Sequence, residues 1–198
     1  IRAQRAIVAG REVAVAVGVA DGRIAEVADH DADLPAARTV VLAADEVLLP
    51  GLVDTHVHVN EPGRTEWEGF DSATRAAAAG GVTTLLDMPL NSVPPTTTLA
   101  GLRTKQQAAE PQVHVDVGFW GGAVPGNVPE LAGLLNAGVF GFKCFLLPSG
   151  VAEFPHLDDD GLRETLAELA RLDGLLLVHA EDEAEIDDAP LHSRAFAD

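Results

Sequence analysis

Pro50-Gly51-Leu52-Val53-Asp54-Thr55-His56-Val57-His58 sets two histidines at i and i+2 behind an apolar run. On a strand such residues share a face, whereas on a helix they lie about 200° apart. The two imidazoles can act together only on a strand, so the spacing predicts one over residues 47–59, with the pair at its C-terminal end. Active sites of parallel α/β barrels lie at that end. Neutral imidazole is a common nitrogen ligand of zinc-like metals, so a metal-binding pair is one reading and a structural pair the other. Asp54 shares the face and either orients one of the imidazoles as a hydrogen-bond acceptor or is a plain strand-end polar group.

Downstream the same rhythm repeats. Apolar strands are expected over 83–88, 113–120, 141–147 and 175–180, and amphipathic helices over 69–79, 99–109, 128–137 and 159–172. Strands without polar alternation are what a parallel sheet buried on both faces produces. The last helix opens on acidic residues, which suit the positive end of a helix dipole. Units of about 30 residues are βα units, and eight of them close a barrel. Residues 49–198 hold about five such units. The expected fold is therefore α/β, a partial (β/α)8 TIM-like barrel of the first five strands. Residues 1–48 read as a separate small β unit, with short strands over 6–9, 12–19 and 23–27 and a turn at Asp21-Gly22.

Composition excludes several functions. A formal charge of -18 repels nucleic-acid backbones and anionic lipid surfaces, so neither nucleic acid nor membrane is an expected partner. The acidic runs Asp158-Asp159-Asp160 and Glu181-Asp182-Glu183 read as solvated faces. A lone cysteine, Cys144, and no apolar run near the roughly 18 residues of a membrane helix suit the cytoplasm. No signal-peptide pattern is seen, although a chain opening on Ile1 is compatible with a trimmed leader.

Two further strand positions carry chemistry. Lys143, inside Gly141-Phe142-Lys143-Cys144-Phe145, must reach solvent, pair with an acid or lose its charge, because an isolated buried ammonium is very costly. A neutral lysine can also take up carbon dioxide to form an anionic carbamate. Cys144 faces the other way and reads as a small core residue. His179 ends the fifth strand, where it is either incidental or shares a metal with the first pair. His30, His114, His156 and His192 lack such placement and read as surface or structural.

The nonapeptide resembles the metal-binding first strand of the cyclic amidohydrolases, which include dihydroorotases, hydantoinases and allantoinases. Three further stretches narrow the resemblance to the allantoinase branch over nearly the whole chain. They are Asn60-Glu61-Pro62-Gly63-Arg64-Thr65-Glu66-Trp67-Glu68-Gly69-Phe70, then Ala76-Ala77-Ala78-Ala79-Gly80-Gly81-Val82-Thr83-Thr84, then Asp87-Met88-Pro89-Leu90-Asn91-Ser92-Val93-Pro94-Pro95-Thr96-Thr97-Thr98. Dihydroorotases usually carry arginine where Asn60 stands and a shorter turn. Guanidinium suits a substrate carboxylate, while asparagine suits a neutral ureide needing both donor and acceptor.

The resemblance implies that His56 and His58 bind one metal, His179 a second, and Lys143, as N6-carboxylysine, bridges the two divalent ions, zinc being expected. It implies ring opening of allantoin to allantoate, a tetramer of identical subunits, and a small β-sandwich to which residues 1–48 contribute. Asn60 and Asn91 are candidate ureide-orienting groups, with turn stabilisation as the alternative; Arg64 is expected to hold the loop. A further metal histidine and an aspartate that the family takes from later strands have no counterpart, since the sequence ends 19 residues after His179. The chain is thus expected to be an N-terminal portion carrying four of six ligands and inactive by itself. The alternatives are dihydropyrimidinase, hydantoinase or dihydroorotase activity, or a non-catalytic dihydropyrimidinase-like assembly protein.

Overall fold

The computed structural model describes residues 1–187. Contacts divide the chain into a unit of residues Ile1–Gly51 and a larger one from Leu52 onward.

The first unit is an antiparallel meander of β1 (Arg2–Val8), β2 (Arg11–Ala20) and β3 (Arg23–Asp29), in that order across the sheet. Both connections are two-residue hairpins with positive φ at each central residue: Ala9 at 49° and Gly10 at 76°, then Asp21 at 51° and Gly22 at 72°. This is the turn whose twist matches flanking strands. Ala9, expected as a strand residue, is instead a turn residue. Ala3, Ala6, Val15 and Val17 form the core, with Leu42 and Leu48 packed against them. Val41 and Leu48 bridge to β1 in parallel.

That last bridge corrects the expected strand over 47–59. Leu48 belongs to the first unit, Pro50 has no N–H to give a ladder, and the histidine-bearing strand β4 (Leu52–Val57) begins only after Gly51.

The second unit alternates strand and helix. After β4 come α1 (Phe70–Ala79), β5 (Val82–Asp87), α2 (Leu99–Ala109), β6 (Asp116–Phe119), β7 (Gly121–Gly122), α3 (Val128–Asn136), β8 (Phe142–Phe145), α4 (Asp159–Leu172), β9 (Leu176–His179) and α5 (Glu183–Asp187). All strand pairings are parallel, in the orders β4-β5-β6 and β7-β8-β9. Among the described residues β4 pairs only with β5 and β9 only with β8, so the sheet does not close.

The strand expected over 113–120 is shorter and changes neighbours at Trp120. Trp120 N–H donates to the Asp87 carbonyl (3.0 Å), while the next N–H, from Gly121, donates to the Gly141 carbonyl (2.9 Å). The crossing needs room. A Cβ on Gly121 would meet the Phe142 ring at 2.7 Å, and one on Gly122 the Phe154 ring at 2.4 Å. Below about 3 Å such contacts force a shift of packed ring or backbone, which close-packed interiors resist.

Helix starts follow local chemistry. Asp158 accepts the Gly161 N–H (2.8 Å) and Thr98 the Gly101 N–H (3.1 Å), each as an N-cap. One member of the Asp158-Asp159-Asp160 run is thus a cap, while the other two pair with Arg163 at the surface. Gly69, which precedes α1, has no side chain to cap with, and the Glu61 carboxylate accepts the Phe70 N–H instead (2.7 Å).

Alternation on β8 separates two environments. Phe142 and Cys144 lie in the cluster with Leu131, Leu134 and Leu169 from the helices, as expected for Cys144. Burial pushes its thiol up to about 11. Cys144 should therefore resist thiol reagents at neutral pH until the protein unfolds, as mass spectrometry after labelling would show; rapid labelling of native protein would contradict this packing. Phe142→Ala should cost about 3–5 kcal/mol in denaturant unfolding, because the fully buried ring leaves a cavity between strand and helices.

Candidate functional site

The C-terminal ends of β4, β8 and β9 carry the chemical groups. His56 and His58 leave the end of β4 on one face, their ring centroids 5.5 Å apart and tilted by 47°. Both rings reach solvent. His58 Nδ1 lies 3.2 Å from the Leu90 carbonyl oxygen. A carbonyl only accepts, so Nδ1 carries the proton and the Nε2 lone pair is left available. Asp54 does not reach an imidazole: its carboxylate accepts the backbone N–H of His56 (3.1 Å) and steadies the strand end.

Partial desolvation is the main cause that lowers the proton affinity of His56, and the positive ends of His58 and Lys143 lower it further. Asp54 opposes the shift and His179 adds to it. Asp54, His58, Lys143 and His179 thus all act on His56, and the net shift is toward neutral imidazole, the ligating form.

Lys143 on β8 is 5% exposed, and its ammonium lies 5.0 Å over the Phe145 ring. Burial lowers its pKa, with no carboxylate among the causes. His179, at the end of β9, also packs on Phe145, its ring 5.0 Å from that of Phe145 at 14°. Its Nε2 is 3.3 Å from a Glu181 oxygen. Among the described residues, no three His, Cys, Asp or Glu side chains gather closely enough to hold a metal ion.

Asn60 and Asn91 are brought together, but on each other. Asn91 Nδ2 donates to Asn60 Oδ1 (3.1 Å), and Asn60 Nδ2 to the His58 carbonyl (3.3 Å). Asn60 also takes a positive φ of 66°. Arg64 holds the rim as expected: its guanidinium donates to the Asn91 carbonyl and to Glu153, and lies 5.1 Å from the Trp67 ring. His30 pairs with Asp31 and His114 with Asp71 at the surface, and His192 lies outside the described residues.

Sequence reading missed one buried pair. Lys105 of α2 donates to Asp87 at the end of β5 (2.7 Å), the two side chains being 1% and 0% exposed. The signal was a lysine in register with the buried Leu102 and Ala109 on one helix stripe.

The profile described as the amidohydrolase family matches residues 47–194. The chain is 59% identical over 190 residues to an allantoinase of Streptomyces avermitilis, covering 96% of this chain and 43% of that protein. It is 47% identical over 197 residues to a mitochondrial allantoinase of Aquarana catesbeiana, covering 97% and 41%. The L-hydantoinase (dihydropyrimidinase) structure from Arthrobacter aurescens superimposes with a TM-score of 0.85 at 33% identity, over 92% of this chain and 40% of that one. The chain therefore spans about two-fifths of the length of these relatives.

The Arg64–Glu153 contact has a pH signature. The guanidinium hydrogen bond holds the Glu153 carboxyl below its usual range. A depressed folded value means the contact stabilises fully above the ordinary glutamate pKa of about 4.3 and is lost as pH falls through the folded value. Fluorescence of Trp67, beside Arg64, should stay flat from pH 8 to about 5 and change only in stronger acid. Glu153→Gln should remove that acid change; a transition centred above about pH 5 would contradict the assignment.

Proposed function

The chain belongs to the amidohydrolase family, and we propose that the whole protein hydrolyses the ring amide of allantoin, adding water and breaking one C–N bond to give allantoate. The observation that carries the chemistry is a histidine pair, one ring committed through Nδ1 to Leu90, beside a buried lysine whose burial favours the neutral amine. Identity of 59% to a protein named allantoinase directs that chemistry to allantoin.

In this reading two divalent cations, zinc being expected, would be held by His56 and His58 for one and His179 for the other, with Lys143 as a carboxylated lysine shared by both. Two such ions supply Lewis-acid activation of water and of the ring carbonyl. Desolvation favours the neutral Lys143 amine, whose nitrogen adds to carbon dioxide and loses a proton, leaving the anionic oxygens that a cation needs. Phe145, in contact with both Lys143 and His179, gives the amine an apolar neighbour. Asn91 and Asn60, held by Arg64, shape the rim over which a ureide enters, and either amide can turn a donor or acceptor toward it.

In this reading the five βα units are the first part of an eightfold barrel and the N-terminal sheet is part of a small β-sandwich. The ligand set is completed by residues outside this chain, and the chain alone is inactive. The protein forms a homotetramer in the cytoplasm, takes a small ureide, and engages neither nucleic acid nor membrane; no helix among the described residues is long and apolar enough to cross a membrane. Likeness to the Arthrobacter aurescens structure favours hydantoinase or dihydropyrimidinase activity as the second reading. Retention of His56, His58, Lys143 and His179 speaks against a non-catalytic assembly protein.

Assays of the whole protein on allantoin, hydantoin and dihydroorotate should show turnover of allantoin above the others; no turnover of allantoin overturns the choice. His58→Ala and Lys143→Ala should each lower metal affinity by at least about 10–100-fold, the range seen when even outer partners of a ligand are lost. Incubation with 13C-bicarbonate should give a carbamate NMR signal in wild-type protein that is absent in Lys143→Ala.

A further inference from the structure

Both lysines of the chain are buried, and the function proposed above uses only Lys143. Lys105 Nζ donates to Asp87 Oδ2 (2.7 Å) and to the Met88 carbonyl (2.8 Å). The other oxygen of that carboxylate, Oδ1, accepts the N–H of Val59 (2.8 Å). Val59 N–H belongs to the peptide group that follows His58, and Met88 stands two residues before Leu90, whose carbonyl accepts His58 Nδ1. The pair therefore grips the backbone of His58 on one side and the base of the turn that receives its ring on the other.

Stability does not explain such a pair. Replacing a buried ion pair by apolar residues of similar volume is often neutral or stabilising, and the stripe of Leu102 and Ala109 would accept one. What charges with hydrogen bonds supply, and a leucine does not, is direction. We propose that Asp87 and Lys105 are positioning residues that fix the backbone and ring orientation of His58, so that Nδ1 stays on Leu90 and Nε2 points to the site. The proposal rests on the reading of His58 as a ligand, and its consequence is a pre-set rather than an adaptable imidazole.

The test uses the whole protein with Asp87→Asn/Lys105→Met, which removes both charges together and so avoids stranding one. On metal-free 15N-histidine protein, wild-type His58 should show one tautomer, protonated at Nδ1, by long-range proton–nitrogen correlation. The double variant should show mixed tautomers, and zinc affinity by chelator competition should fall by about 10–100-fold. A folded double variant with the wild-type tautomer and wild-type zinc affinity overturns the proposal. If the double variant fails to fold, hydrogen exchange at Val59 in wild-type protein decides. Protection equal to the slowest core amides supports the clamp, and fast exchange overturns it. Wild-type protein that binds no zinc yet shows a single Nδ1–H tautomer supports the clamp and overturns only the functional reading.

Discussion

Two imidazoles at the end of a strand are useful only if that end cannot twist away, and here the hold comes from β5. Val57 offers its carbonyl to Met88 N–H (2.7 Å), and Asp87 reaches across to Val59 N–H, so His58 sits between two bonds to the same neighbouring strand end. From that fixed point the rim is built outward. The turn beginning at Met88 receives His58 through Leu90, Asn91 reaches back to Asn60, and Arg64 ties Asn91 to Glu153. A loop segment that would otherwise be free, residues 60–69, is thereby fastened at its start, at Arg64, and at Glu61, which caps α1. Each bond alone is worth about 1 kcal/mol; their shared geometry limits how far any one member can move.

The electrostatics are arranged around the same end of the sheet. In a chain of net charge -18, cations are scarce, and the two lysines are both placed inside. Burial has opposite outcomes for them. Lys105 finds a carboxyl partner in Asp87, at the expense of desolvating both, and burial raises the proton affinity of that carboxyl. Lys143 faces an aromatic ring instead of a carboxylate, so desolvation favours its neutral form. The same desolvation, joined by neighbouring positive groups, lowers the proton affinity of His56.

Much of this was legible in sequence because it is local. The i, i+2 spacing of His56 and His58, the face of Cys144, and the bounds of α2 and α4 depend on side-chain period and caps within a few residues. What was not legible is non-local. The change of neighbour at Trp120 depends on glycines that make room for Phe142 and Phe154, which come later in the chain. The break before Leu52 depends on Leu48 pairing with β1. Asp54 was expected to orient an imidazole and instead accepts a backbone N–H, and whether the amides of Asn60 and Asn91 meet a substrate or each other is decided by a turn some 30 residues away. Lys105 had a visible signal, a charge on an apolar stripe, but its acid lies 18 residues back on another element.

Anomalous diffraction at the zinc edge from crystals of the whole protein tests the central claim most directly. The account predicts two peaks, one against His56 and His58 and one against His179, with continuous density from Lys143 Nζ between them. Zinc bound elsewhere, or none with Lys143 as a plain amine, would contradict it.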